Sequence, residues 1–146
     1  KNNTAISLNN RINITPFLVP HRDEYSETVG YKINTNNTSL IFIPDINKWQ
    51  QWNISILEII KNIDYAFLDG TFYKNGELNR DMSDIPHPFV EESMQLFTTL
   101  SNADKEKIHF THFNHTNPLM KEESKSRQEV LNKGFKLAKE GQIIRF

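Results

Sequence analysis

Four short apolar runs in this chain each end at a histidine or an aspartate. In chain order, the runs and their terminal polar residues are Ile12–Val19 with His21, Ser39–Ile43 with Asp45, Tyr65–Leu68 with Asp69, and Lys107–His112 with His112 itself. Their length and apolar content are typical of β-strands. Polar groups that emerge from one edge of a sheet can converge in space although they are distant in sequence. We therefore expect a sheet protein with a polar site along one edge.

The rest of the pattern predicts an α+β protein, a mixed sheet with helices on one face. Val29–Asn34 and Ser39–Ile43 flank a short Asn-containing turn and form a credible β-hairpin. The other predicted elements are helices over Ile54–Ile63, Val90–Leu100 and Ser124–Glu140, the last stopped by Gly141, a long polar loop over Tyr73–Pro88, and a closing strand over Ile143–Phe146. No repeat or linker is visible, so residues 1–146 are expected to form one folding unit.

Composition restricts the kinds of partner and cofactor. The 146 residues carry a net charge of −1, so no basic footprint for nucleic acid is present. No run approaches the roughly 20 apolar residues of a membrane span, and no signal peptide is visible, so we expect a cytoplasmic protein. The chain begins with Lys1, as expected for a processed chain or part of a longer one. It has no cysteine, so a metal would be held by His and Asp or Glu, which suits zinc, iron or manganese.

Three of the five histidines, His109, His112 and His115, lie close together around the end of the fourth run. Histidine is the commonest transition-metal ligand because neutral imidazole offers a lone pair near neutral pH. His109 and His112 should face opposite sides of a strand, so His109 is expected to be structural or exposed. His115 lies beyond the strand and could bind a metal, support a ligand or donate a proton. Asn114 and Asn117 are expected to satisfy backbone groups of the loop.

Each candidate residue also has an ordinary structural interpretation. His21 could be a surface histidine, Asp45 could cap the following segment, and Asp69 could belong only to a tight turn with Gly70. These explanations are plausible singly, but less so for the whole set together. A His and carboxylate set can hold one or two metal ions, which lower the pKa of bound water to near neutrality. Asp45 could bridge two such ions, because a carboxylate can do so and a neutral imidazole normally does not.

Six motifs in a fixed order carry a resemblance to a known family. They are Pro20-His21, Thr28-Val29-Gly30-Tyr31, Ile43-Pro44-Asp45, Asp69-Gly70-Thr71-Phe72, His87-Pro88 and Thr111-His112-Phe113-Asn114-His115-Thr116-Asn117-Pro118. From about residue 12 to its end, the chain resembles the C-terminal half of a metallo-β-lactamase-fold protein. It is most similar to the pyrroloquinoline-quinone biosynthesis protein B group, and more distantly to the ribonuclease Z and cyclic-phosphate phosphodiesterase branches. The implied fold is half of an αββα sandwich.

The resemblance also implies roles for individual residues. His21, Asp45 and His112 match metal ligands of the family, with Asp45 as the bridging aspartate. His87 and His115 fall where relatives place histidines that contact phosphate or shuttle protons, so they are the candidate catalytic residues. Asp69 and Asn114 are expected to support the site without touching the metal.

One family motif has no counterpart here. The His-x-His-x-Asp-His motif belongs to the N-terminal half of the fold, and no histidine precedes His21. We therefore expect residues 1–146 to be the C-terminal portion of a metallo-β-lactamase-like domain, inactive alone and partnered by the missing half or a second chain. The apolar sheet face left open by half a fold would also favour homo-oligomers.

The function implied for the complete protein is that of a metal-dependent hydrolase. Its substrate would be a small anionic or ester compound, such as a phosphodiester or lactone, and its cofactor one or two zinc ions, with iron or manganese as alternatives. A redox enzyme or carrier of quinone-cofactor biosynthesis is the first alternative, and iron with oxygen-dependent turnover would favour it. The second is a non-catalytic interaction module that keeps the fold with a degenerate site.

Overall fold

The computed structural model describes residues 2–144, and its centre is a seven-stranded sheet whose strands lie in chain order. The strands are β1 (Ile6–Ser7), β2 (Asn13–Leu18), β3 (Val29–Asn34), β4 (Ser39–Ile43), β5 (Tyr65–Asp69), β6 (Ile108–Thr111) and β7 (Lys136–Leu137). Strands β1 to β4 pair antiparallel, and β4 to β7 pair parallel. The sheet is therefore mixed, as predicted, and its parallel half places the carboxyl ends of four consecutive strands, β4 to β7, at one edge.

Four short helices connect the parallel strands. They are α1 (Ile56–Lys61), α2 (Val90–Leu96), α3 (Asn102–Lys105) and α4 (Lys125–Asn132), with 3₁₀ turns at Trp49–Gln51, Phe97–Thr99 and Pro118–Met120. Ser55, Ser101 and Ser124 cap α1, α3 and α4 by accepting a hydrogen bond from a backbone N–H of the first turn. Within residues 2–144, none of the helices has the length and apolar character needed to cross a membrane.

The predicted last helix is wrong in its second half. The helix ends at Asn132 and is followed by Gly134 at φ +87°. The Gly134 N–H donates to the Leu131 carbonyl and the Phe135 N–H donates to the Val130 carbonyl, which is the Schellman motif that ends many helices. The chain then turns into β7, whose Leu137 is buried. Leu131 and Phe135 are four residues apart, which is the spacing of neighbours on one helix face, but the helix ends between them. In the predicted closing strand, Ile143 and Ile144 are not in a strand, and residues 145–146 lie outside the described residues.

One face of the sheet packs against the helices and forms the main core. Side chains such as Ile41, Ile43, Leu68 and Phe110 on this face share a buried cluster with residues of α1, α2 and α4. The opposite face is also rich in apolar side chains, but these lie outside that cluster. We call it the open face, and its members include Ile14, Pro16, Leu18, Tyr31, Ile33, Phe42, Tyr65 and Phe67.

Gly30 of β3 is required by close packing on the helix-covered face. A Cβ at this position would lie 2.5 Å from the ring of Phe17, which stacks on Trp52 at 5.9 Å between centroids. We expect Gly30→Ala to lower the free energy of unfolding by about 1–3 kcal/mol, because the Phe17 ring must leave its stack. Urea unfolding measures this cost. The double variant Gly30→Ala, Phe17→Leu should cost less than the sum of the two single changes, and strict additivity would contradict the explanation.

His109 of β6 is a buried histidine, so the structural alternative for it is the correct one. It is 4% exposed, stacks on Phe67 at 4.8 Å between ring centroids, and donates from Nδ1 to the Lys107 carbonyl at 3.1 Å. Burial lowers the pKa of His109 below its ordinary value of 6.5. The unfolded chain therefore binds this proton more readily than the folded one, and His109 removes stability as the pH falls below about 6.5.

We accordingly expect His109→Phe to flatten the acid side of the stability–pH profile. The phenyl ring retains the stack on Phe67 but carries no titrating group. Unfolding in urea at several pH values between neutrality and pH 5 measures the two slopes. Parallel profiles of the variant and the parent protein would contradict the assignment.

Candidate metal centre

The four predicted strand-end residues converge at one edge of the sheet. Asp45, Asp69 and His112 follow or end the parallel strands β4, β5 and β6, whose carboxyl ends meet there. His21 follows β2, and the Asn47 N–H donates to the Pro20 carbonyl at 2.7 Å, which ties its loop to that of Asp45. Among residues 2–144, two groups of side chains have ligand atoms spaced closely enough to hold a metal ion: His21, Asp45 and His87, and Asp45, Asp69 and His112.

His21 is held in one tautomer by an amide. Its Nδ1 lies 3.0 Å from Oδ1 of Asn47, while the Asn47 amide nitrogen donates to Gln51 at 2.9 Å. An amide oxygen only accepts, so Nδ1 of His21 carries the proton and donates. The lone pair is therefore on Nε2, which lies 3.3 Å from Oδ1 of Asp45.

Asp45 presents a buried oxygen with no hydrogen-bond partner among residues 2–144. This atom, Oδ1, is approached by Nε2 of His21 at 3.3 Å and by Nδ1 of His87 at 3.4 Å, in neither case with hydrogen-bond geometry. A buried carboxylate oxygen without a donor costs considerable free energy. With the His21 lone pair facing the same atom, the arrangement fits a cation between them. The oxygen and nitrogen donors suit zinc, iron or manganese.

Asp69 holds neighbouring groups of the centre in place through hydrogen bonds. It is fully buried and accepts four hydrogen bonds, two on each carboxylate oxygen. Oδ1 receives the backbone N–H and the hydroxyl of Thr71 at 2.8 and 2.7 Å. Oδ2 receives the Ile46 N–H at 3.1 Å and Nδ1 of His87 at 2.8 Å. A carboxylate has about four lone-pair sites, and all four are occupied in Asp69. In the second group, therefore, only Asp45 and His112 remain free to bind a metal ion.

His87 lies at the end of the long loop, which packs around apolar side chains of its own. Phe72, Met82 and Phe89 form a small buried cluster of their own beneath it. Burial of the His87 imidazole opposes its charged form, but the hydrogen bond and the charge of Asp69, with the charge of Asp45, outweigh this and raise the pKa of His87. The ring is therefore placed to hold a proton beside the centre.

His112 adopts a backbone conformation that is uncommon for a residue with a side chain. Its φ is +62°, immediately after β6 ends at Thr111. This turn breaks the regular alternation of the strand, which would have continued His112 on the face of Phe110. Nδ1 of His112 instead lies 3.0 Å from the Thr71 hydroxyl, and the residue itself is exposed.

The other candidates lie in the loop after His112. His115 is exposed and belongs to neither metal-binding group among the described residues. The Asn114 side chain donates to Thr116 at 2.7 Å, and its backbone N–H donates to the Thr71 carbonyl. Asn117, which is buried, donates to the Gly70 and Thr71 carbonyls at 2.7 and 3.1 Å. The Asn117 side chain thus satisfies loop backbone, as predicted. The same prediction is wrong for the Asn114 side chain, which bonds to a side chain, and only the Asn114 backbone N–H contacts Thr71.

Sequence reasoning missed the polar groups that orient the histidines. Thr71 contacts His112, and Asn47 contacts His21. Glu77 was also missed; it contacts no histidine in the described residues but accepts from Thr116 at 2.6 Å and from the Tyr73 N–H at 2.7 Å. Thr71 stands inside the Asp-Gly-Thr-Phe motif and could have been selected on that ground. Nothing in the sequence pattern pointed to Asn47 or Glu77, because His21 and Thr116, which they contact, lie 26 and 39 residues away along the chain.

The mixed sheet, the helices on one face and the His and Asp centre at the strand edge define a metallo-β-lactamase-type fold. A family model described as beta-lactamase superfamily domain matches residues 1–113. The chain belongs to this superfamily, and the predicted half of an αββα sandwich is confirmed.

Within the superfamily, the chain is similar to coenzyme PQQ synthesis protein B, as the sequence predicted. It is 28% identical over 128 residues to the protein of Gluconobacter oxydans, covering 82% of this chain and 40% of that protein. It is 28% identical over 132 residues to the protein of Acinetobacter baylyi, covering 85% and 42%. The crystal structure of Zn²⁺-bound PqqB from Methylobacterium extorquens has a similar fold, with a TM-score of 0.75 and 21% identity, covering 99% of this chain and 54% of that one. The chain thus spans about 40% of the length of these curated relatives.

Proposed function

We propose that this chain contributes to the metal centre of a metal-dependent hydrolase that acts on a phosphodiester, lactone or similar ester. In this proposal His21, Asp45 and His112 bind one or two zinc ions, and Asp45 is common to both groups of ligands. The observation that carries it is the buried Asp45 oxygen, which has no hydrogen-bond donor among residues 2–144 and faces the lone pair of His21. A relative of similar fold described as Zn²⁺-bound supports the choice of zinc.

The surrounding residues supply the remaining chemistry. A divalent ion held by these residues would lower the pKa of its bound water and polarise the carbonyl or phosphoryl oxygen of the ester. The Asp69 carboxylate holds the protonated Nδ1 of His87, so the ring keeps one orientation and is stabilised when charged. His87 can then give a proton to the departing alcohol or bind an anionic group of the substrate. His115, being exposed in the adjoining loop, is assigned to substrate binding.

We propose that the remainder of a metallo-β-lactamase domain covers the open face, within the same polypeptide or as a second chain. Leu18, Tyr31 and Phe42 on this face are 39%, 38% and 36% exposed, although they lie in the middle strands of the sheet. A contiguous apolar surface of this kind is typical of an interface. The structure of similar fold has close to half of its length outside the match, which is enough for a second layer. That portion would also carry the further metal ligands.

Native mass spectrometry of the protein from its natural source, with zinc added, tests the assembly. We expect a longer polypeptide or a two-chain complex that carries one or two zinc ions. A lone 17.1 kDa chain that takes up no metal would contradict both the metal centre and its completion by a second half.

Hydrolysis by the complete protein tests the chemistry. Phosphodiester and lactone substrates should be turned over in a zinc-dependent way, and His87→Gln should lower kcat by about 10²–10⁴-fold, the usual contribution of a general acid. His115→Gln, a matched change in the adjacent loop, should raise KM and leave kcat within a few-fold. Equal effects of the two changes would contradict the division of roles.

A step in quinone-cofactor synthesis is the second candidate function. Its support is that the relatives reported above are described as coenzyme PQQ synthesis protein B. In this case the same residues would hold a single iron ion, and turnover would consume oxygen. Metal analysis and an oxygen electrode separate the two candidates, because a hydrolase needs neither iron nor oxygen.

A further inference from the structure

Thr71 lies between the fully buried Asp69 and the exposed His112. The Thr71 hydroxyl lies 2.7 Å from Oδ1 of Asp69 and 3.0 Å from Nδ1 of His112. It has a single proton to donate and two lone pairs that accept. The direction of the two hydrogen bonds therefore determines which nitrogen of His112 is protonated.

The environment of Asp69 settles that direction. Its two oxygens are surrounded by donors, including the backbone N–H groups of Ile46 and Thr71, which cannot reverse. The carboxylate must therefore accept from the Thr71 hydroxyl as well. With its only proton given to Asp69, the hydroxyl oxygen must accept from Nδ1 of His112. This places the proton of His112 on Nδ1 and leaves the lone pair on Nε2.

The position of Thr71 is itself held from the other side. The Thr71 carbonyl accepts from the Asn114 N–H at 3.0 Å and from the Asn117 side chain at 3.1 Å, on the loop that follows His112. The preceding Gly70 donates to the Thr111 carbonyl at 2.9 Å. The hydroxyl and the imidazole are thus fastened together by several bonds, which supports the unusual φ of +62° at His112.

We propose that Thr71 is a positioning residue that passes the orienting effect of Asp69 to His112, holding the imidazole with Nε2 free to bind the metal. The inference rests on the proposed metal-binding role of His112. It assigns Asp69 the support of two histidines at once, His87 directly and His112 through the hydroxyl. Loss of such a supporting hydrogen bond typically costs 10–100-fold in metal affinity.

Two substitutions separate the hydroxyl from the shape of the side chain. Thr71→Val keeps the branched shape and removes the hydroxyl, whereas Thr71→Ser keeps the hydroxyl. Thr116→Val is a matched control, because it removes a hydroxyl that bonds to Glu77 and to the Asn114 side chain without contacting a histidine. The two readouts are nitrogen NMR of the ring nitrogens in metal-free protein and zinc affinity by competition with a chelator.

We expect His112 to be protonated on Nδ1 in the parent protein, in Thr71→Ser and in Thr116→Val, and to shift toward Nε2 protonation in Thr71→Val. Zinc affinity should fall about 10–100-fold in Thr71→Val and stay within a few-fold in the other two. Nε2 protonation in the parent protein, or an unchanged tautomer or unchanged zinc affinity in Thr71→Val, would overturn the proposal. The tautomer is read without metal, so it tests Thr71 even if the parent protein binds no zinc, which is the failure of the proposed function.

Discussion

Asp45→Asn should abolish zinc binding and at the same time stabilise the metal-free protein. The amide can direct an N–H toward Nε2 of His21, 3.3 Å from the present oxygen, and so replace an unpartnered buried acceptor by a hydrogen bond. We expect a gain of about 1 kcal/mol in the free energy of unfolding without metal. The loss of zinc affinity should exceed the roughly 100-fold that removal of a supporting residue can cost.

Urea unfolding with chelator and with excess zinc measures both effects in one series. Zinc at about 100 times its Kd should stabilise the parent protein by about 2.7 kcal/mol and leave the Asp45→Asn variant unchanged. Asp84→Asn, at an exposed aspartate, is the control and should behave as the parent protein does. Equal zinc stabilisation of the parent and the Asp45→Asn variant would remove Asp45 from the ligand set.

Asp69→Asn should be strongly destabilising even without metal. The new amide group would face two of the four donors that Asp69 now accepts, whichever oxygen it replaces. Each buried donor left without an acceptor costs about 1–3 kcal/mol, so we expect a loss of about 3 kcal/mol or more in the free energy of unfolding. Chelator-treated protein in urea gives this value directly.

Asp64→Asn provides the matched control for Asp69. The Asp64 carboxylate also accepts a backbone N–H and a hydroxyl, both from Ser39, at 2.8 and 2.9 Å, but it is exposed. Water can replace either partner there, so we expect a cost of about 1 kcal/mol or less. A similar cost at both positions would contradict the explanation that burial makes the loss of these hydrogen bonds more costly at Asp69 than at Asp64.

Local patterns were sufficient for most strands and for the convergence of the strand-end His and Asp residues. The hairpin strands Val29–Asn34 and Ser39–Ile43 have the bounds that the sequence predicted, because short apolar runs between polar turns are determined by nearby residues. The expectation that polar residues at strand ends meet at one edge of the sheet is confirmed for Asp45 and His112. The roles proposed for them are predictions that the experiments above address.

Local patterns gave a wrong secondary structure where a contact between residues distant along the chain determines it. The chain after Asn132 was predicted as helix on the spacing of Leu131 and Phe135, but Phe135 packs on Phe97 and Phe110 from beyond the helix end. Gly134 was the available signal, since a glycine at φ > 0 commonly ends a helix. The two-residue strand β1 and the short α3 were also absent from the prediction, because elements of this length carry too little periodicity.

The sequence by itself determined the set of available ligands, histidine and carboxylate without cysteine, and the strand ends that carry them. Only the tertiary structure decided that Asp69 has no lone pair left for a metal, that Asp45 has an unpartnered oxygen, and that His21 is protonated on Nδ1. The reason is physical: a ring nitrogen or carboxylate oxygen takes its role from its hydrogen-bond partner. The partner of His21 is 26 residues away along the chain, and the hydroxyl that contacts His112 is 41 residues away.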